Sequence, residues 1–438
     1  MSSVKVDKKI KDKKIEDKKI EDKKIENKKI KEINIGTKTK LVLGAQHVLA
    51  MFGATVLVPA LTNMNPSLAL ITAGIGTLVF HLCTKGIVPV FLGSSFAFIG
   101  ALQMVLKTMG VAAVKGGVIC AGLVYLLMAL LVKIYGAEKI KSFFPPVVTG
   151  PIIMVIGLRL SPVAINMAMY QNGVFSGRNF FVASIVVISM IIISIMKHSF
   201  FRLVPILISV IIGYLVSLFF GMVDLKAITS ANWVGLSGEA IGILKTVPTF
   251  SLTAILAIAP IALVTFIEHI GDITTNGAVV NKNFFEEPGV HRTLIGDGLA
   301  TSIAGLLGGP SNTTYGENTG VLAVTKIYDP SVLRIAAVYA IVLGFLGKFG
   351  VMLQTIPAPV MGGISIILFG MIAAIGVRIL VEAQLDFSNS RNLLIAALIF
   401  VLGIAVNEIG VWKTVSLSGL SIAAVVGIVL NKILPQDK

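Results

Sequence analysis

The sequence predicts an all-α, polytopic membrane protein of 14 transmembrane segments, built as two inverted 7-segment repeats, with two interrupted segments that carry short extended stretches at mid-membrane. Three observations carry this expectation. The composition is 55% apolar and only 13% charged, far from that of a soluble domain. Apolar windows of about twenty residues follow one another along the chain. Blocks of the first half return in the second.

The net charge of +15 would suggest a nucleic-acid partner if it were spread over the chain. It is not: the first forty residues hold 15 of the 37 Lys and Arg, together with 8 acids. From Asp7 to about Lys31 they repeat a five-residue unit, DKKIE or a close variant. A period of five builds neither a helical nor a strand face, so residues 1–37 read as a disordered, Lys-rich cytoplasmic tail. Attraction to anionic lipid is a second reading of the tail, weakened by the interspersed acids. No secretory signal is read here, because no continuous apolar core occurs. Cys83 and Cys120 fall in apolar segments, as small packing residues rather than a disulfide framework.

Apolar windows lie near 39–60, 66–84, 88–106, 111–134, 144–168, 180–197 and 201–221. After a polar stretch, roughly 222–248, seven more lie near 250–279, 293–309, 312–328, 332–354, 357–380, 391–408 and 411–433. With both termini cytoplasmic, the inner turns carry the excess of positive charge, among them Lys85, Lys133, Lys139, Lys197, Lys282, Arg292, Lys326 and Arg391.

The two halves echo each other at two places. FFPPVVTGPIIMVIGLRL, from Phe143, resembles IPAPVMGGISIILFGMIAAIGVRIL, from Ile356, each ending in Gly-x-Arg at Arg159 and Arg378. LGSSFAFIG (Leu92–Gly100) and GGPSNTTYGENTG (Gly308–Gly320) occupy the third segment of each half, with too little apolar length for a crossing helix. Irregular backbone is tolerated at membrane depth only where protein buries it or a cavity adjoins it, so these blocks point to a substrate site.

Ionisable groups inside spans cost roughly 2.5–3.5 kcal/mol on insertion scales and are functional candidates by default. Glu268 and Asp272 in FIEHIGDITTNG stand four apart, on one helix face. Glu317 opens a half-helix, where a carboxylate is favoured either as a cap or as a ligand group. Asp297, in IGDGLA, suits a packing or hydrogen-bonding role as well as a proton-coupling one. His47 and His269 are lone histidines with no second ligand at metal spacing, so no metal site is expected. His47, with Gln46, is expected to bond a neighbouring segment. His269 points about 100° from Glu268 and is expected to pack elsewhere.

A carboxyl held away from water is a natural proton-coupling group, and a protonated one offers both a donor and an acceptor. Such a site suits a ligand with amide N–H and C=O edges, with Phe96 or Phe98 as an aromatic wall and the Ala97 and Gly316 amides as donors. Enzyme chemistry finds no nucleophile with its base and no metal cluster, and a channel finds no filter-like ring. An inorganic-anion exchanger would favour cations where these acids stand.

The blocks LGAQHVLAMFGATVLVPAL, FLGSSFAFIGAL, EHIGD, PGVHRTLIGDGLAT and SNTTYGENTGVLAVTK resemble, in order, the nucleobase/ascorbate transporter family over about residues 38–433. The Glu-Asn-x-Gly-x4-Thr-Lys pattern from Glu317 to Lys326 is similar to that family's signature. The resemblance implies a core domain from 38–140 and 249–355, and a gate domain from 141–248 and 356–438. It implies that Glu268 binds the base directly, that Glu317 and the backbone at Gly316 and Ala97 contact it, and that Phe96 is the aromatic. It also implies that Gln46 and His47 brace the third segment, with Asn318 in support. Asp272 stands where a uracil carrier of the family has histidine and purine carriers often have aspartate; Glu317 stands where xanthine and urate carriers tend to have glutamine. Phe369 replaces an expected gate-domain tyrosine and removes a hydroxyl contact.

The function so implied is import of a nucleobase, uracil first, by proton symport through alternating access. The alternatives are a xanthine or urate carrier of the same family and, behind it, an inorganic-anion exchanger of similar architecture. No cofactor is expected, the proton being the coupling ion, and no nucleic acid. The expected setting is membrane lipid of a bacterial cytoplasmic membrane, with a homodimer through the gate domain.

Overall fold

The structure, a computed structural model, describes residues 36–196, 201, 204–406, 408–412 and 415–435. The DKKIE repeats and their expected disorder lie outside these residues. The chain falls into two units, Met1–Leu43 and Gly44–Lys438. The described part of the first is the opening of helix α1 (Thr37–Thr62); the second carries everything that follows.

After α1 come α2 (Pro66–Cys83), strand β1 (Leu92–Ser94), a single 3-10 turn (Phe96–Phe98), α3 (Ile99–Tyr135) and the short α4 (Ala137–Lys141). Then follow α5 (Pro146–Met169), a hairpin of β2 (Tyr170–Gln171) and β3 (Val174–Phe175), α6 (Gly177–Ile195) and α7 (Pro205–Phe219). The polar stretch holds α8 (Leu225–Ser230) and α9 (Gly238–Lys245). The second half runs through α10 (Leu252–Ile258), α11 (Ile261–Val280), α12 (Val290–Leu307), β4 (Asn312–Thr314), α13 (Gly316–Thr325), α14 (Pro330–Gly344) and α15 (Gly347–Gln354). It closes with α16 (Ala358–Glu382), α17 (Ser390–Ala405), the ribbon β5 (Glu408–Trp412) with β6 (Val415–Ser418), and α18 (Gly419–Ile433).

Among the described residues, 7 helical stretches are long and apolar enough to cross a membrane, or 8 if α14 and α15, bent by 80°, count as one span. The helix starts follow local chemistry. Asn65 accepts from the amides of Ser67 and Leu68 ahead of Pro66, and Asp329 accepts from Ser331 ahead of Pro330; each combines an N-cap side chain with a proline that has no amide to leave unpaired.

Three expectations are adjusted. The third and fourth apolar windows join into one helix, α3, through a break at Gly110, whose φ of 79° suits glycine; the surrounding residues MGVAAVK supply no polar turn. The polar stretch 222–248 is not bare loop but contains α8 and α9. The last window begins as a β ribbon, because EIGVW and VSLS are rich in β-branched and aromatic residues, and helix resumes only at Gly419.

Helix α12 packs against α2 and α3, and α14 against α2. Separately, α5 packs along α16, with α17, α18, α6 and α7 around that pair. The α5/α16 crossing is close because it lacks side chains where the backbones meet: a Cβ on Gly157 would strike the Phe369 carbonyl, and one on Gly376 would lie 2.5 Å from the Gly150 carbonyl.

Candidate functional site

Strands β1 and β4 pair antiparallel, Leu92 with Thr314, Gly93 with Thr313 and Ser94 with Asn312. Two further bonds extend the ladder, Ser95 N to Ser311 O at 2.9 Å and Tyr315 N to Phe91 O at 3.0 Å. Side chains from neighbouring helices attend to the rest of the extended backbone. Thr77 Oγ1 accepts from Leu92 N at 2.9 Å, Thr301 Oγ1 donates to Asn312 O at 3.1 Å, and Tyr315 Oη donates to Ser94 O at 2.9 Å. Asn312 Nδ2 in turn donates to Thr72 O at 3.1 Å. The pairing of the two interrupted blocks, with Thr77, Thr301 and Tyr315 bonding the backbone that pairing leaves free, is what lets non-helical backbone sit within an apolar bundle.

The ribbon launches the 3-10 turn and α3 from one end and α13 from the other, so two helix starts flank it. Helix α11 passes beside both, touching α13, β4, the Phe96–Phe98 turn and α3. It brings Glu268 and Asp272, on one of its faces, into electrostatic range of Glu317 in the first turn of α13 and of Asp297 on α12. Glu268 and Glu317 keep exposed surface, whereas Asp272 is half-buried. Thr314 Oγ1 donates to Asp272 Oδ2 at 2.6 Å, and Asp272 Oδ1 lies 3.8 Å from where a Gly316 Cβ would be. Asp272 thus fastens the junction between β4 and α13 to α11. Phe96 is half-buried in the turn that α11 packs against, while Ala97 and Phe98 are buried. Ala97 also lines a narrow cleft of about 60 Å³ that runs past Gly100, Met104 and Ile261 to Arg159 on α5 and Leu420 on α18. Among the described residues no cluster of three metal-ligating side chains occurs.

The sequence model of a permease family matches residues 38–409. The chain belongs to the nucleobase/ascorbate permease family. This family consists of transporters, not enzymes, and its membership makes the chain a multi-pass membrane protein. The permease is 42% identical over 424 residues to the "Uracil permease" of Bacillus subtilis (strain 168), covering 93% of this chain and 97% of that protein. It is 39% identical over 394 residues to the "Uracil permease" of Escherichia coli (strain K12), covering 89% of this chain and 90% of that one. Among solved structures, the transmembrane domain of the cyanobacterial bicarbonate transporter BicA matches with a TM-score of 0.64 at 18% identity, over 88% of this chain and 96% of that chain. The murine anion transporter Slc26a9 matches with a TM-score of 0.66 at 10% identity, over 92% of this chain and 69% of that chain. At these identities the likeness is one of transporter fold alone.

In the permease, the acids Glu268, Asp272 and Glu317 come together with Gly316, and α11, which carries the first two, packs against the turn that holds Phe96 and Ala97. Two other candidates lie on other elements. Phe369 is 1% exposed, packed in the apolar core on α16. Gln46 is half-buried, and its neighbour His47 bonds not to the third segment but to α13: Asn318 Nδ2 lies 3.1 Å from His47 Nδ1 and 3.0 Å from its carbonyl. Asn318 is a bracing residue on this geometry.

His269 does more than pack. Its Nδ1 lies 2.9 Å from Asp297 Oδ2 and its Nε2 2.9 Å from Thr293 Oγ1, all in the fully buried seam between α11 and α12. Asp297 is accordingly a hydrogen-bonded structural partner of α11. Sequence reasoning also passed over Asn276, which donates to Pro89 O and Thr319 Oγ1, each at 3.0 Å. Its signal was present: Glu268, Asp272 and Asn276 recur every four residues and form one polar stripe along α11.

Proposed function

We propose that this permease imports a nucleobase, uracil first, by proton symport through alternating access. The observation that carries the reading is the convergence of Glu268, Asp272 and Glu317 at the β1/β4 ribbon, in a chain whose relatives named uracil permease match it nearly end to end. Carboxyls grouped in one compartment can exchange a negative charge for a proton, and a protonated carboxyl reads both edges of an amide-like ring. Glu268 would hold the base and the proton. Glu317, the Gly316 and Ala97 amides and Phe96 would complete the contact, with Phe369 closing the site from α16. His47, Gln46, Asn318 and Asp272 would keep the two helix starts in place.

In this reading the chain crosses the inner membrane of a bacterium as fourteen segments in two inverted repeats, with both termini in the cytoplasm. Residues 38–140 and 249–355 form the core and 141–248 and 356–438 the gate, which also carries the homodimer contact. The separate packing of α5, α16, α17 and α18 supports that division. A proton entering with a neutral base moves one charge, which contributes about 2.3 kcal/mol per 100 mV. Asp272 favours keeping a purine carrier of the same family as the second reading.

Uptake of labelled uracil into energised vesicles, with unlabelled bases in excess, tests the proposal. Uracil should compete and an uncoupler should abolish accumulation. Strong competition by xanthine with little from uracil would replace the substrate, and uptake indifferent to the uncoupler would remove the proton from the mechanism.

A further inference from the structure

Lys115 is 1% exposed in the apolar helix α3. Its Nζ donates to the carbonyls of Ile243 at 3.0 Å and Thr246 at 2.6 Å, at the carboxyl end of α9, where the dipole favours a cation. The other end of α9 is tied as well: Glu239 Oε2 accepts from Asn65 Nδ2 at 3.2 Å and from Gln354 Nε2 at 3.3 Å. Backbone bonds continue the attachment, Thr249 N to Ala112 O at 2.9 Å, Gly235 N to Phe345 O at 2.9 Å and Gly347 N to Trp233 O at 3.1 Å. Lys348 Nζ sits 4.4 Å over the Trp233 ring. Gly116 and Gly308 have no room for a Cβ, because the Thr249 carbonyl and the Ile243 side chain press against them.

We infer that residues 232–249 are a fixed strap, fastened to α2, α3 and α15 with Lys115 as its positioning residue, and that it stays closed throughout the transport cycle. A buried ammonium stripped of its carbonyls would be stranded in an apolar helix, so lifting the strap is the unfavourable route to the site. Although the strap follows the α5–α7 helices in sequence, these bonds join it to the α2, α3 and α14–α15 side. On the transport reading above, access then opens along the cleft from Ala97 to Arg159.

The test uses Glu239→Cys with Gln354→Cys in the full chain, with Cys83 and Cys120 replaced by Ala, bridged by a short bis-methanethiosulfonate reagent. The bridged protein should keep at least half its uptake rate with KM unchanged. Uptake that stops on bridging and returns on reduction would overturn the fixed strap. Limited trypsin cleavage at the exposed Lys245 tests Lys115 itself: K115M should be cut at least tenfold faster than wild type, and K115R should restore protection. Unchanged cleavage in a folded K115M would remove Lys115 from this role. If the parent protein takes up no base, it is the transport reading that fails, and the protease result still judges the strap.

Discussion

The hydroxyl of Thr314 lies 2.6 Å from Asp272 Oδ2, joining the last residue of β4 to the middle of α11. A typical hydrogen bond contributes about 0.5–1.5 kcal/mol net. Thr314→Val keeps the shape and removes the donor. It should raise KM for the transported base about tenfold, or about 1.4 kcal/mol, with little loss of folded protein. A KM equal to wild type would show that the Asp272 tether does not shape the site.

Glu268 and Glu317 are the exposed acids of the cluster. Glu268→Gln keeps size but cannot exchange a proton at this position, and should abolish accumulation. Glu317→Gln should weaken binding or coupling while leaving residual uptake. Vesicle uptake and direct binding measure the two effects separately; wild-type behaviour of both variants would take them out of the mechanism.

His269 and Asp297 make a fully buried pair at 2.9 Å. Removing one member leaves a buried polar group of the other without its hydrogen-bond partner, a change that costs about 1–3 kcal/mol. Asp297→Asn and His269→Ala should each lower the melting temperature in detergent markedly, and the double variant should fall no further than the worse single one. Additive losses would mean that the two side chains act independently.

His47 and Asn318 meet through two contacts of Asn318 Nδ2. A thermal-stability cycle of His47→Ala, Asn318→Ala and the double variant should give a coupling of about 1 kcal/mol. A coupling near zero would leave the bracing role unsupported.

The α5/α16 crossing depends on missing side chains. Gly157→Leu must displace the Phe369 carbonyl and the Ala373 amide, 2.7 Å from the new Cβ. Yield of monodisperse protein should collapse, whereas Gly177→Leu, with nothing within 4 Å of its Cβ, should be tolerated. Equal yields would refute the close approach.

What the sequence determined by itself follows from chemistry that is local or that lipid imposes. An apolar run long enough to span declares a crossing helix, and a charge placed inside it must have a use. In this way Glu268, Asp272 and Glu317 stood out before any geometry, as did the two blocks that now pair as β1 and β4 and that no lipid-facing helix could contain. Only tertiary structure decided the partners. His269 lies 28 residues from Asp297, Asn318 lies 271 from His47, and Lys115 lies 128 from the Ile243 carbonyl. No local pattern encodes such pairs, because whether a buried polar group is satisfied depends on which distant segment packs against it. The same reason governs Phe96 and Phe369: both are aromatics in apolar segments, yet the first is half-buried and the second 1% exposed, and only the packing of distant segments decides that difference.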